Sequence, residues 1–358
     1  CNSTFGTDGI SMFVLNNHRY FKHNGVRFHL IYSSIHSPKS VIAEYVRDFE
    51  KDGDKVMFIP KRNKLMNYAI KLYRYFKNCN IDVLHVHGSS SAILLEMIIA
   101  KMAGVRKTIA HCHSTQSNHN TMHKILRFAV NRLADERLAC GELAGMWMYG
   151  KHGQFTIIPN CIDTAMYAFN SNVRRKVRQE LGIDYDTLVI GHVGMFTEVK
   201  NQKFLLHVLG DLNSKNGHRY KLLLIGHGPL LQEVVNESER MGLSNYVEFM
   251  GNRDDVNHLM MAMDVFCLPS LYEGFPIVAV EAQATGLSVI MSSNISKESM
   301  ITDNVTQLAI DKGTDAWVKT IRDCADVHVE RTLCADKVKM AGYDIRFSSA
   351  MLESYYNK

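Results

Sequence analysis

From Ala262 to Ser292 the chain reads AMDVFCLPSLYEGFPIVAVEAQATGLSVIMS. Val265 to Leu268 is an apolar run without alternation, the mark of a strand buried on both faces. A loop through Tyr272, Glu273, Gly274 and Phe275 follows, and Pro276 suits the first turn of a helix. Ile277 to Ala284 reads as that helix, closed by Gly286, before a second buried strand at Ser288–Met291. Two parallel strands joined this way require a crossover and a sheet covered on both sides. The rhythm recurs. Runs at Arg27–Tyr32, Val56–Ile59, Val83–Val86, Thr108–Ala110 and Arg137–Ala139 alternate with helical stretches, as do Leu188–Val193, Lys221–Ile225 and Val247–Met250. The expected fold class is α/β, with two doubly wound, Rossmann-like domains.

At 358 residues and 46% hydrophobic content, the chain can bury two ordinary cores. The division expected is an N-terminal domain over 1–165, a second domain over 166–344 and a C-terminal helix over 345–358. Charge is shared unequally: residues 1–165 carry a balance of +9 and residues 166–358 one of −4, within a total of +5. A basic first half suits an anionic partner such as a lipid surface or a pyrophosphate-linked acceptor. Nucleic acid is disfavoured, since no motif for it accompanies the charge. Eight scattered cysteines without a Cys-x-x-Cys pair read as reduced thiols of a cytoplasmic protein. The longest apolar stretch, Ala92–Ala100, is interrupted by Glu96 and falls far short of the roughly 20 residues of a membrane span.

The helix start after Pro276 offers unpaired N–H groups and a positive dipole end, which suit a phosphate. Glu273 lies in the loop before it and Glu281 just over a turn inside it. Carboxylates so placed can grip hydroxyls on either side of a diphosphate, a sugar on one flank and a ribose on the other. Either glutamate alone is more often a cap or a helix-face charge. Lys200, after the Leu188–Val193 strand, can neutralise a departing diphosphate. His113 follows a buried strand and His87 ends another, with His111 and His85 two residues before them. Strand-end histidines without a carboxylate cluster are weak metal evidence, so no metal is expected. Gly6, in the Gly6-Thr7-Asp8-Gly9 loop, can approach a phosphate or sugar through its backbone. The Gly226-His227-Gly228-Pro229 loop reads as a tight connection. Asp52-Gly53-Asp54 and Asp184-Tyr185-Asp186 precede strands and read as turns.

The 262–292 segment resembles the donor-site motif of glycosyltransferase family 4, retaining enzymes of the GT-B fold. The resemblance continues through DVLHVHG (Asp82–Gly88), AHCHS (Ala110–Ser114), IPNCID (Ile158–Asp163), GHVGMFTEVKN (Gly191–Asn201) and LIGHGP (Leu224–Pro229), in family order over nearly the whole chain. DVFCLPSLYEGFP and ADERLACGELAG are similar to the bacterial exopolysaccharide and capsule branch.

The resemblance implies two Rossmann-like domains facing across a cleft, with the terminal helix crossing back to the first. It also implies a first buried strand before Gly6, so a short piece ahead of Cys1 is expected. The activity implied is metal-independent transfer of a sugar from a nucleotide-diphosphate donor, a UDP-sugar, to a surface-polysaccharide or lipid-linked glycan, without a cofactor, at the inner face of the cell membrane. His113, Glu273 and Lys200 would carry catalysis. Glu281, Gly274, Phe275, Pro276, Ile277, Gly6 and Met195 would bind the donor, and His87 would line the acceptor side. Met195 stands where the family has an arginine, and Cys161 where glycine is usual. Methionine supplies neither the charge nor the fork of donors. An epimerase or phosphorylase of the same architecture, or a non-catalytic sugar-nucleotide binder, is the alternative. A basic helical stretch from Lys61 to Lys77, with a second patch at Lys124, Arg127 and Arg132, suggests peripheral attachment to anionic lipid.

Overall fold

The computed structural model describes residues 9–21, 26–33, 46–47, 49–50, 53–59, 65–114, 120–214, 219–273, 275–325 and 330–357. Gly6, Gly274, Lys61, Arg62 and Lys64 lie outside the described residues. The chain forms two compact units, Cys1–Cys161 with Ile345–Lys358, and Ile162–Asp344.

In the first unit, β1 (His29–Tyr32) pairs in parallel with β2 (Lys55–Phe58). Strands β3 (Val83–Gly88), β4 (Lys107–Cys112), β5 (Glu136–Ala139) and β6 (Thr156–Ile157) form a four-stranded parallel sheet in that order. The helices Leu65–Asn78, Leu94–Ala103 and Asn120–Leu133 bring Leu72, Phe76, Met97 and Val130 into one core with Val86 and Ala110. A second cluster joins Phe13, Ile109, Leu138 and Ile158 to Leu352 of the last helix, Ile345–Tyr356. That helix is also held by polar contacts: Asn17 Oδ1 accepts from Ser348 Oγ at 3.1 Å and Ser349 Oγ at 2.9 Å, and Lys107 Nζ donates to the Tyr355 carbonyl at 2.7 Å.

The second unit is a six-stranded parallel sheet in the order β12-β11-β10-β7-β8-β9. These are Val305–Leu308, Ser288–Ser292, Val265–Leu268, Thr187–Val193, Arg219–Ile225 and Val247–Gly251. The sequence rhythm located five of the six. It missed β12, a short strand at the sheet edge with Thr306 and Gln307 in its middle. Both faces are covered: Val265 and Cys267 enter one core, Phe266 and Leu268 the other. Strand order reverses between β7 and β10, and in such sheets ligands bind beyond the carboxyl ends of the strands at that reversal.

The polar stretch before β7 is itself structural. Its helix Ser171–Glu180 aims Arg174 and Arg178 at Asp264, with contacts of 2.6 and 3.3 Å, and Asp264 also accepts from the Val189 amide at 2.8 Å. Asp184 and Asp186 lie in the turn that follows, and Asp54 is buried against His18 at 2.5 Å. Among the described residues the cysteines are free thiols, and Cys112, Cys140, Cys161, Cys267 and Cys334 are buried.

Candidate functional site

Two loops meet at the strand-order reversal of the second unit. The first leaves β7 and runs from Gly194 to Asn201; the second leaves β10 and runs from Pro269 to Phe275. The Leu271 amide donates to the Val199 carbonyl at 2.7 Å, and Asn201 Nδ2 donates to the Pro269 carbonyl at 3.3 Å. Asn201 has φ of 53°, a left-handed conformation that asparagine tolerates better than most residues. This stitching puts Lys200 Nζ 2.8 Å from Glu273 Oε2. Ser270 Oγ donates to the other oxygen, Oε1, at 2.5 Å. Main-chain pairing with Ile295, and the Ser296 amide on the Glu273 carbonyl at 3.4 Å, fix the backbone beneath the carboxylate.

The loop after β8 closes on the same place. Gly226 has φ of +134°, and a Cβ there would meet the Gly194 carbonyl oxygen at 2.2 Å. Under the loop, the fully buried His192 donates through Nδ1 to the Cys267 carbonyl at 2.9 Å. Its Nε2 then accepts from Gln202 Nε2 at 3.3 Å. Burial pulls the His192 pKa down to about 4, so the ring is a neutral strut. Gln202 also donates to the Met195 carbonyl at 3.0 Å, while the Met195 side chain is 43% exposed.

The helix expected after Phe275 spans Ile277–Ala284. Pro276 caps it from outside, with φ of −75° and ψ of 106°, one position earlier than the first-turn place read from sequence. With ψ extended, Pro276 has not entered the helix, and its missing N–H costs nothing there. Gly286, with φ of +74°, follows the last turn. Phe275 stacks on Tyr343 with ring centroids 5.5 Å apart, and Phe275 and Ile277 pack beside Val280 and Ile162. Glu281 lies on this helix near Tyr167. Burial raises the Glu281 pKa to about 7, against the opposing effect of Tyr167.

Sequence reasoning did not single out Ser270, Tyr167, His192 or Gln202. Ser270 is three residues before its glutamate and could have been considered as an orienting group. Tyr167 is separated from Glu281 by most of the unit, and no local pattern marks it.

In the first unit, parallel register aligns His87 with His111. His85 and His87 share one face of β3, since side chains two apart on a strand point the same way. His113, just past β4, follows His111 on the neighbouring strand. Two hydrogen-bonded pairs result: His87 Nδ1 to His113 Nε2 at 3.0 Å, and His85 Nε2 to His111 Nδ1 at 3.2 Å. Ring centroids are 4.1 Å apart for His85 and His87, which are tilted, and again for His111 and His113, which stack. The Phe13 ring packs edge-on against His111 and His113, and Tyr356 Oη lies 2.7 Å from His85 Nδ1. Burial pushes the pKa of His85, His87 and His111 well below the usual histidine value and that of His113 to about 3, so all four are neutral at pH 7.

The sequence model for Glycosyltransferase Family 4 matches residues 7–166, and that for Glycosyl transferases group 1 matches residues 173–328. EpsF of Bacillus subtilis (strain 168), which carries the name of a glycosyltransferase, is 31% identical over 320 residues, covering 85% of this chain and 83% of EpsF. An Escherichia coli enzyme named UDP-Gal:alpha-D-GlcNAc-diphosphoundecaprenol alpha-1,3-galactosyltransferase is 28% identical over 276 residues, 72% of this chain and 70% of that one. Among solved structures, Anabaena HepE in complex with UDP and glucose superposes with a TM-score of 0.77 at 18% identity, covering 99% of both chains. WaaG, a glycosyltransferase of lipopolysaccharide biosynthesis, superposes with a TM-score of 0.67 at 16% identity, covering 98% of this chain and 99% of that one. The chain belongs to glycosyltransferase family 4, and its two α/β units are those of the GT-B fold.

Proposed function

We propose that this glycosyltransferase takes its sugar from a UDP-sugar and delivers it to a lipid-diphosphate-linked glycan of a surface polysaccharide. The Lys200–Glu273 pair at the strand-order reversal, beside the helix start at Ile277, carries this reading. A lysine and a helix N-terminus together stabilise the charge that develops on a departing diphosphate. Glu273, already oriented by Ser270, is the acceptor for the donor sugar's hydroxyls. Glu281 is the acceptor for the ribose. Phe275, Pro276 and Ile277 present the main chain to the diphosphate, and Met195 sits beside Lys200 without a charge of its own. Gly6 and Gly274 keep the donor-side roles that the resemblance gives them. His113 serves the sugar or the incoming hydroxyl, with His87 as its neighbour on the acceptor side.

UDP as the nucleotide draws on HepE, solved with UDP and glucose, and on the Escherichia coli relative named for UDP-galactose. The lipid-diphosphate acceptor draws on that relative's name alone. The reading needs no cofactor and no metal. Calorimetric titration with UDP, GDP, ADP and their common sugars tests it. Binding confined to the uridine series supports the reading, and a preference for another base refutes the UDP part.

Peripheral attachment to the membrane fits such an acceptor. No helix among the described residues is long and apolar enough to cross a bilayer. The helix Leu65–Asn78 buries Tyr68, Leu72 and Phe76, so part of the apolar side expected to face lipid is in the core instead. Leu65, Met66 and Ile70 remain exposed, and on the helix Asn120–Leu133 so do Met122, Ile125 and Phe128, the last at 75%. Neither helix contains an acidic residue, while Lys71, Arg74, Lys77, Lys124 and Arg132 face solvent. An apolar surface rimmed only by cations suits an anionic leaflet.

A further inference from the structure

The four histidines bring their ring nitrogens close together. We propose that His85, His87 and His111 form a binding site for a late first-row divalent ion, zinc foremost. One ring nitrogen from each lies within 4.8 Å of the other two. With Zn–N bonds of about 2.0–2.1 Å, tetrahedral coordination sets ligand nitrogens about 3.4 Å apart. His85 Nε2 and His111 Nδ1 already stand at 3.2 Å, close to that spacing.

A further observation supports the assignment. A metal-bound histidine orients itself by giving its second nitrogen to an outer partner, and Tyr356 Oη occupies that position on His85 Nδ1 at 2.7 Å. A cavity of 540 Å³ in this unit is lined by His85 and His87 together with Phe13, Arg106 and Tyr356. Imidazole ligands favour zinc, copper or nickel over magnesium or calcium, and the fourth position is left to water. Ion binding itself does not depend on the proposed substrates.

The test uses the full chain after chelation and dialysis. Zn²⁺ is titrated by calorimetry, and Co²⁺ by visible absorption. The expected result is one ion per chain, with the intense bands of four-coordinate cobalt. His85→Gln and His111→Gln should each weaken binding at least tenfold, whereas His152→Gln, at an exposed histidine, should not. Tyr356→Phe keeps all ligands and should weaken binding several-fold. Circular dichroism checks that each variant is folded; should the ligand variants not fold, the cobalt spectrum of the parent decides. Absent or non-saturable binding, a six-coordinate cobalt spectrum, or full affinity in folded His85→Gln and His111→Gln variants overturns the site.

Discussion

Lys200 and Glu273, on loops from different strands, form an ion pair of 2.8 Å at the point where strand order reverses. Both side chains are mostly buried, at 21% and 14% exposure, so each charge relies on the other in place of solvent. Each partner holds the other where a charged ligand can take over the contact.

Lys200→Ala should lower turnover by about 10²–10³, the range for removing a charge-stabilising donor, and lower the melting temperature far less in proportion. Thermal denaturation and a UDP-release assay check this together. A large loss of stability with turnover preserved would make Lys200 a structural residue.

Glu281 titrates near neutrality in the folded chain, with its pKa raised from 4.5 to about 7 by burial. The folded carboxyl therefore holds its proton more tightly than the unfolded one does, and this group's contribution to stability falls as pH rises from 4.5 through 7. With Glu281 on the ribose as proposed, nucleotide binding should have the opposite sense, because ribose hydroxyls donate best to the charged form. UDP affinity should rise as pH passes through about 7. Glu281→Gln should flatten that rise, and Glu281→Ala should cost about 1.5–3 kcal/mol of UDP binding at pH 8. A parent and a Glu281→Gln profile that coincide would remove Glu281 from the site.

Met195 is 43% exposed beside the Lys200 loop, so a longer cationic side chain fits there without repacking. Met195→Arg should tighten UDP binding or raise turnover by supplying a second cation with paired donors. Calorimetry and initial rates measure the two effects. No change in either would show that position 195 does not face the diphosphate.

Most of the fold and part of the site were legible because they rest on local chemistry. Buried parallel strands are continuous apolar runs, and the helix after Pro276 is bounded by a proline and a glycine. The edge strand β12 was not legible, since half-exposed Thr306 and Gln307 break such a run. Contacts made by chain folding were equally hidden. Nothing near Glu281 announces Tyr167, and nothing local to His111 announces that register sets it beside His87. The helix at 65–78 shows the limit of periodicity: both of its sides carry apolar residues, and only packing decides that Leu72 and Phe76 go inward while Met66 and Ile70 stay outside.

Liposome sedimentation checks the membrane surface. Binding should require anionic lipid and fall with added salt, at about 1 kcal/mol per basic residue near the leaflet. Ile125→Ser with Phe128→Ser should weaken it without lowering UDP affinity, because both side chains already face solvent. Replacing Lys71 and Arg74 by glutamate should weaken it further. Salt-independent binding, or none, contradicts attachment through this face.

The most direct measurement of the central claim is coupled product analysis with purified protein, radiolabelled UDP-sugars and a lipid-diphosphate-linked acceptor in detergent. The account expects sugar incorporated into the lipid and UDP released in equal amounts, no reaction with either substrate alone, and loss of both products in Glu273→Gln. UDP binding without transfer to any lipid-linked or free glycan acceptor, or transfer unaffected by Glu273→Gln, would contradict it.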